Sequence, residues 1–497
     1  MSADPLGGES ISRNAGFALA AQAATAAFTA GVTLFLVRFL DPSGYGIFVL
    51  ALGFSGLVLL PADFGVSQAA ARFIAERRGD PSAIAAAVAS AIRLKLAFTS
   101  TFALALFVLA APIAAAYDAP GLTWPLRGMA IALLGQSMML LFAKSFVAMG
   151  KIAWQLRLYL SESVVEATAT IGAVLMLGGA SAAAFGRAFG YAVGAVLGAL
   201  FLYRLLGRGA IADRRGGPNR RELVRYAGAL LIIDGAYALF SHLDVLFVGA
   251  MLGTTAVGIY GAPLKLTALL HYPGLALGQA IAPRLAKHPD RPRDTGALVR
   301  GLRYMVILQT AVAVTIAVWA DPIVELLLGQ DYAESAEVLR ALAPFVFLHG
   351  VGPLVAVSVN YLGEARRRIP IAIGCLLLNV VLMLVLIEEI GILGAAISLD
   401  VSYAFYVCGH LWVCARLLDL SLRPLALTAV RSLLAGAPLA AVLLAFGTDG
   451  LGPLEWLLGL ACGGAAFVAV LLATRETSTT ELRKPLRAVG GRLRRSS

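Results

Sequence analysis

Long apolar stretches, separated by short polar turns, follow one another along the whole chain. Each stretch approaches or exceeds the roughly 20 apolar residues that a helix needs to cross a bilayer core. Continuous runs of this kind argue against a membrane β-barrel, whose strands alternate in short segments. The pattern therefore predicts about fourteen membrane-spanning helices. They are centred on 15–40, 45–75, 90–116, 122–148, 154–178, 182–205, 223–252, 256–286, 299–328, 336–361, 369–388, 392–415, 424–446 and 453–474.

The composition supports burial in lipid. Of the 497 residues, 59% are hydrophobic and 14% are charged, which leaves too little polar surface for a soluble protein of this length. The 52 glycines allow helix backbones to approach closely in a membrane. The four cysteines lie in apolar runs and form no CxxC spacing, so we interpret them as packing residues and predict no metal site.

The positive charges occupy every second loop, and the net charge is +11. The loops between them contain hardly any Lys or Arg. This alternation is typical of the positive-inside bias of multi-pass membrane proteins, and an even number of spans then places both termini in the cytoplasm. Because the charges form no single patch, they do not indicate a nucleic-acid partner. The main basic segments are 77–78, 204–225, 284–303, 366–368 and 475 onward.

The second half of the chain repeats features of the first. Gly46 matches Gly258 within similar five-residue motifs, and Arg72 matches Arg284 at the same distance further on. Two homologous bundles around a central site are a recurrent design in transporters. We therefore predict two parallel six-helix bundles followed by two further helices. The predicted boundaries are 1–206 for the first bundle, 207–222 for a basic cytoplasmic linker, 223–418 for the second bundle, 419–474 for the two additional helices and 475–497 for a basic cytoplasmic tail.

Several of these segments resemble a known family. The segment Leu36–Gly46, and Asp63–Gly65 with the polar residues after it, are similar to the first two helices of bacterial Wzx-type polysaccharide flippases. Val257–Tyr260 and Pro283–Ala286 resemble the equivalent part of their second half. These flippases belong to the multidrug/oligosaccharidyl-lipid/polysaccharide (MOP) exporter superfamily, together with MATE drug exporters and the lipid II flippase MurJ.

The resemblance implies a function and a location. Such a flippase moves undecaprenyl-diphosphate-linked oligosaccharide from the cytoplasmic to the periplasmic leaflet of the bacterial inner membrane, for cell-surface polysaccharide synthesis. Alternating access, with H⁺ or Na⁺ coupling, is the implied mechanism. The implied partners are the lipid-linked oligosaccharide, membrane lipids, a polysaccharide polymerase and glycosyltransferases, and no cofactor is expected.

Two other function classes stay open from the sequence. A lipid II flippase or an ion-coupled MATE-like drug exporter would have the same fold. A polysaccharide polymerase or ligase would be a membrane enzyme, but the outward loops are short for one. The chain also contains no GxxxxGK[ST], HExxH or GxSxG motif, so we predict that it is not an enzyme and has no catalytic residues.

Cations inside the apolar spans are candidates for substrate binding. A charge at bilayer depth costs at least about 2.5–3.5 kcal/mol, so it should face protein or a wet cavity. A diphosphate needs cations, and Arg can hold phosphate oxygens with two hydrogen bonds. We predict a substrate cleft that contains Arg38, Arg72, Lys144, Lys265 and Arg284. For Arg72 and Arg284 the structural alternative is that the side chain extends to lipid headgroups.

Acids inside the spans are candidates for ion coupling or gating, because carboxylates at membrane depth can carry protons or bind Na⁺. Glu162 and Glu166 are four residues apart and share a helix face. Structural pairing with Arg187 or Lys144 is their alternative role. Asp63 follows a proline that is expected to kink its helix. The full predicted set is Asp63, Glu162, Glu166, Asp234 and Asp244.

Overall fold

The structure, a computed structural model, describes residues 11–212, 220–286 and 293–478. These residues fold into α-helices and short 3₁₀ turns, with no β-strand among them. Within the described ranges, twelve helical segments are long and apolar enough to cross a membrane. The prediction of an all-α membrane protein is confirmed, and the predicted number of about fourteen spans is approximate.

Two predicted spans, 223–252 and 256–286, are not among these twelve. The first lies in a long helix, Arg220–Leu252, whose described side chains include the apolar helix Leu239–Leu252. Most side chains just before Leu239 lie outside the described residues, so this span stays a prediction. The second is interrupted by a 3₁₀ turn at Ala268–His271, so neither part is long enough to span a bilayer core alone.

The described chain divides into two compact units. Unit 1 contains residues up to Leu269 together with Ala372–Ser398, and unit 2 contains Leu270–Ile371 and the residues from Leu399 onward. This grouping describes helix contacts and does not test the predicted six-helix bundles, whose boundaries stay a prediction.

The part of unit 1 before Leu269 contains nine described α-helices. They are α1 (Ile11–Phe39), α2 (Pro42–Asp63), α3 (Val66–Ala75), α4 (Pro81–Ala116), α5 (Thr123–Ala148), α6 (Ile152–Leu177), α7 (Gly179–Ala212), α8 (Arg220–Leu252) and α9 (Thr254–Thr267). The main helix pairs among them are α5–α7, α6–α7, α2–α9, α4–α5 and α1–α6.

The helices that follow belong wholly or partly to unit 2. In that unit α11 packs against α14 and α17, and α17 packs against α18. Residues 372–398, which contain most of α15 and the start of α16, group with unit 1. The helices are α10 (Tyr272–Ile281), α11 (Thr295–Val318), α12 (Ala320–Leu327), α13 (Ser335–Ala341), α14 (Ala343–Tyr361), α15 (Arg368–Ile390), α16 (Ile392–Leu418), α17 (Arg423–Phe446) and α18 (Pro453–Ala473).

The break between α2 and α3 places Asp63 at a helix end. Phe64 and Gly65 both adopt the left-handed conformation, with φ of 48° and 69°. A Cβ on Gly65 would come within 2.7 Å of the Ala227 carbonyl oxygen, so both the conformation and the space require glycine. The interruption expected near Pro61 is therefore a full break just after Asp63.

The two glycines of the internal repeat face each other where α2 crosses α9. A Cβ on Gly46 would overlap the Thr254 carbonyl oxygen, and a Cβ on Gly258 would overlap the Pro42 carbonyl oxygen. The same number of residues separates Gly46 from Gly258 and Pro42 from Thr254. The contact is thus reciprocal between equivalent positions, as two related segments packed about a pseudo-twofold axis would form. The repeat in the sequence corresponds to a close contact of helix backbones.

Gly46→Ala is expected to destabilise unit 1 by about 1–3 kcal/mol, because the added methyl group must push the two backbones apart. Gly258→Ala should have a similar effect. Gly31→Ala is the matched control, since no atom lies within 4 Å of the methyl group it would add. The measurement is the midpoint of thermal unfolding in detergent. Equal midpoints for Gly46→Ala and Gly31→Ala would mean that the close contact does not contribute to stability.

Candidate functional site

A cavity of about 500 Å³ lies within unit 1. Residues from α1, α2, α3, α5, α6, α7, α8 and α9 line it. Apolar side chains such as Leu36, Phe48 and Leu59 form part of the wall. The other part contains six acidic or basic side chains, which is unusual at bilayer depth and marks the cavity as the candidate site. These are Asp63, Lys144, Glu166, Arg187, His242 and Lys265.

Asp63 is neutralised by a lysine from α4. The Lys95 ammonium group, whose side chain is fully buried, forms an ion pair with the Asp63 carboxylate and also donates a hydrogen bond to Ser67. Ser67 in turn donates to Asp63 over 2.6 Å. The break after α2 lets Asp63 and Ser67 approach the same ammonium group. Asp63 is therefore part of a buried, hydrogen-bonded cluster at the edge of the cavity.

Glu166 is neutralised by Arg187. One guanidinium nitrogen of Arg187 forms an ion pair with the Glu166 carboxylate, and another donates to the Tyr191 hydroxyl over 2.7 Å. Gln136 also donates to this hydroxyl, over 3.3 Å. Helices α6 and α7 pack so closely here that a Cβ on Gly190 would lie only 2.6 Å from the Glu166 Cα. This close packing holds the ion pair in place. The structural pairing of a glutamate with Arg187 is confirmed for Glu166.

Lys144 and Lys265 remain as cations of the cavity. Among the residues described, neither forms an ion pair, whereas both acids of the lining do. The cavity therefore carries an excess of positive charge. Both side chains are only partly buried, and Lys265 also interacts electrostatically with the buried Asp244 carboxyl, which does not line the cavity. An ammonium group at this depth that forms no ion pair is unfavourable, so an anionic ligand would gain by supplying the missing charge.

The other three predicted substrate-binding residues are exposed. Arg38 lies at the end of α1 and Arg72 on α3, and neither lines the unit 1 cavity. Arg72 pairs with Glu76 at 2.9 Å. Arg284 lies in unit 2 and approaches Asp294 at 3.8 Å. Their role in substrate binding stays a prediction, and the exposed positions fit the headgroup alternative for Arg72 and Arg284.

The remaining predicted acids are placed differently from Asp63 and Glu166. Glu162 and Asp244 are buried but do not line the cavity. The Tyr260 hydroxyl donates to Asp244 over 3.0 Å, and one carboxylate oxygen of each acid has no hydrogen-bond partner in the described part of the chain. Asp234 lies in α8, but its side chain is outside the described residues. Ion coupling by any of these acids stays a prediction.

Lys95, Gln136 and Tyr191 are among the residues of the site that the predicted sets did not contain. Lys95 lies in α4, fourteen residues beyond the helix start, and a lysine that deep in an apolar run is a signal that could have identified it. Gln136 and Tyr191 give no such signal, because neutral polar residues are common in membrane helices.

Metal ions in proteins are held by clusters of histidine, cysteine and acidic side chains. The described residues contain no group of three or more such side chains that could hold a metal ion.

Comparison with known proteins places the chain in a family. The sequence profile of the polysaccharide biosynthesis protein family matches residues 11–289, more than half of the chain. The chain belongs to this family. The MatE profile matches residues 235–385, and together the two matches support membership of the MOP exporter superfamily.

Two curated relatives match part of this family member. A Haloferax volcanii protein, named as a low-salt glycan biosynthesis flippase, is 23% identical over 195 residues, which is 39% of this chain and 41% of the relative. A Shigella flexneri protein, named as an O-antigen transporter, is 22% identical over 179 residues, which is 36% of this chain and 43% of that protein. The matched part thus spans less than half the length of each relative.

Solved structures show the same fold over most of the chain. The lipid II flippase MurJ in an inward closed conformation has a TM-score of 0.71 at 11% identity, covering 93% of this chain and 99% of MurJ. An inward-facing MATE multidrug transporter of the MOP superfamily has a TM-score of 0.62 at 17% identity, covering 80% of this chain and 95% of the transporter. At these identities the likeness concerns the fold alone.

Proposed function

We propose that the protein is a flippase that moves undecaprenyl-diphosphate-linked oligosaccharide across the membrane for cell-surface polysaccharide synthesis. The observation that carries the proposal is the unit 1 cavity, in which Lys144 and Lys265 form no ion pair with the described residues, whereas both acids of the lining do. Two ammonium groups suit a diphosphate. The family profile and the names of the two relatives support the same function.

The charge of the cavity favours this function over a drug exporter of the same fold. A cavity for cationic drugs would be expected to present unpaired acids. Here both acids of the lining form ion pairs, Asp63 with Lys95 and Glu166 with Arg187.

The relatives are named as a flippase and a transporter, which supports the prediction that the chain is not an enzyme.

The neutral polar groups of the cavity would meet the sugar. Gln136 and the Tyr191 hydroxyl lie on the same wall as the Glu166–Arg187 pair and offer donors and acceptors to hydroxyl groups.

We further propose the bacterial inner membrane as the location, with both termini cytoplasmic, on the basis of the positive-inside pattern. Polymerase and glycosyltransferase partners belong to the same proposal.

Reconstitution in liposomes tests the function. The substrate is undecaprenyl diphosphate carrying one fluorescent sugar, and an impermeant quencher is added outside. We expect the protein to bring the inner-leaflet pool within reach of the quencher, which protein-free liposomes should not do. A parallel experiment loads the liposomes with a cationic dye. No protein-dependent movement of the lipid, with or without an H⁺ or Na⁺ gradient, would reject the flippase. Dye movement alone would favour the drug exporter.

A further inference from the structure

A second cavity, of about 400 Å³, lies in unit 2 where α17 begins and α18 ends. Four arginines and one glutamate supply its charged lining, so three positive charges are in excess. This cavity is separate from the candidate site, since all its lining residues belong to unit 2. The charged residues are Arg303, Arg423, Arg431, Arg475 and Glu476.

Glu476 fixes two of the arginines. Its carboxylate accepts hydrogen bonds from Arg303 and Arg431, each over 2.9 Å, and from the Thr428 hydroxyl over 2.7 Å. Arg303 also donates to the Glu476 backbone oxygen. Burial raises the pKa of the Glu476 carboxyl, but the hydrogen bonds outweigh burial and hold that pKa below its usual range. The carboxylate therefore stays charged and keeps both guanidinium groups in place.

Arg423 and Arg475 provide the excess charge. Both are exposed, and neither forms an ion pair with the residues that the structure describes. Arg423 is the first residue of α17, and the residue before it provides no side-chain cap to the free N–H groups of the first turn. The positive end of the helix dipole adds to the arginine charge at this point, which is a favourable arrangement for phosphate.

Arg475 is held in a conformation that side chains disfavour. Its φ is 56°, in the left-handed region, directly after the last turn of α18. Glycine is the usual residue at this position of a helix end, because it has no side chain to strain. An arginine there loses some stability but directs a guanidinium group toward the cavity. An observed outlier of this kind is a reason to look for function.

An apolar stripe continues from this cavity along α17. Leu427 lines the cavity, and Val430 and Leu434 follow three and seven positions later on the same helix face. All three side chains are large, apolar and substantially exposed. In a membrane such a face contacts acyl chains. The cavity and the stripe together match the two parts of a phospholipid, a charged head and apolar tails.

We propose that this cavity binds the headgroup of an anionic phospholipid from the leaflet on the basic-loop side. The phosphate contacts Arg423, Arg475 and the start of α17, and one acyl chain lies along Leu427, Val430 and Leu434. The excess of positive charge selects anionic over zwitterionic headgroups. The site would bind lipid whether or not the unit 1 cavity transports a lipid-linked sugar.

The test uses the full chain in detergent, with phosphatidylglycerol or phosphatidylcholine added and no transport substrate. We expect phosphatidylglycerol to raise the midpoint of thermal unfolding more than phosphatidylcholine does. In Arg423→Gln/Arg475→Gly this difference should disappear, because each arginine is expected to raise the affinity for the anionic lipid about fivefold. Glycine suits the backbone at position 475, so the variant should fold without lipid. The matched control, Arg366→Gln/Arg416→Gln, removes the same charge outside the cavity and should keep the response.

Each alternative outcome overturns the proposal. Equal effects of the two lipids on the unaltered protein would mean that the cavity does not select anionic headgroups. An undiminished difference in Arg423→Gln/Arg475→Gly would place the lipid elsewhere. Inorganic phosphate or glycerol phosphate could also reproduce the stabilisation at the same concentration. The cavity would then be a site for free anions and not for a lipid.

Discussion

Asp63→Asn is expected to lower the stability of the protein by about 3–5 kcal/mol, because it leaves the Lys95 ammonium group buried without a counter-charge. The Lys95 side chain is 0% exposed, whereas that of Asp63 is 14% exposed at the cavity edge. The loss of stability should therefore depend on which partner of the ion pair is replaced. Lys95→Met leaves a carboxylate that retains the hydrogen bond from Ser67 and access to the cavity. Its cost should be smaller than that of Asp63→Asn.

The double variant separates the charge effect from loss of packing. Lys95→Met/Asp63→Asn removes both charges, so it should recover most of the stability lost in Asp63→Asn. Lys144→Met is the matched control, because it removes a cavity lysine that forms no ion pair among the described residues. The readout is the midpoint of thermal unfolding in detergent. If the double variant were as unstable as Asp63→Asn, the ion pair would not be the source of the effect.

The second large effect concerns transport. Lys144→Gln/Lys265→Gln is expected to slow movement of the diphosphate-linked sugar in liposomes by at least about 10- to 100-fold. A hydrogen bond to a charged group contributes about 1.5–3 kcal/mol, and each 1.4 kcal/mol is a factor of ten. Each lysine alone should account for part of the loss. Lys144→Gln should change stability little, because Lys144 forms no ion pair with the described residues. Lys265→Gln should lower stability moderately, because it removes the cation that interacts electrostatically with the buried Asp244 carboxyl.

Lys151→Gln controls for the loss of a positive charge. Lys151 lies at the start of α6 and does not line the cavity, so its replacement should leave the transport rate close to that of the unaltered protein. Unaltered transport by Lys144→Gln/Lys265→Gln would remove the two lysines from the substrate site. An equal loss in all variants would point to a general effect of surface charge.

The sequence predicts the helices of this protein well because the apolar runs have the length that a bilayer imposes. The repeat around Gly46 and Gly258 is also visible in the sequence, and it corresponds to a real backbone contact. The predicted span 256–286 differs because a 3₁₀ turn at Ala268–His271 interrupts it. A break such as the one at Phe64–Gly65 depends on left-handed conformations that a run of apolar letters does not reveal.

The cavity lining was only partly predictable. A helix that is apolar on all sides gives no periodic signal, so the sequence does not reveal which face of α1 or α9 turns inward. Lys265 on α9 lines the cavity, but Arg38 on α1 is exposed. The partnership of Asp63 with Lys95 was also hidden, because it depends on how α2 and α4 are rotated about their axes. Charges inside spans identify candidates, and helix orientation decides among them.

The most direct test of the cationic cavity compares two lipids that carry the same fluorescent glycan, one through a diphosphate and one through a monophosphate. The measurement is the ratio of their transbilayer rates in liposomes. With two lysines available for two phosphates, the unaltered protein should move the diphosphate lipid faster. Lys144→Gln/Lys265→Gln should bring the ratio close to one. A preference that persists undiminished in this variant would contradict the assignment of Lys144 and Lys265 to the diphosphate.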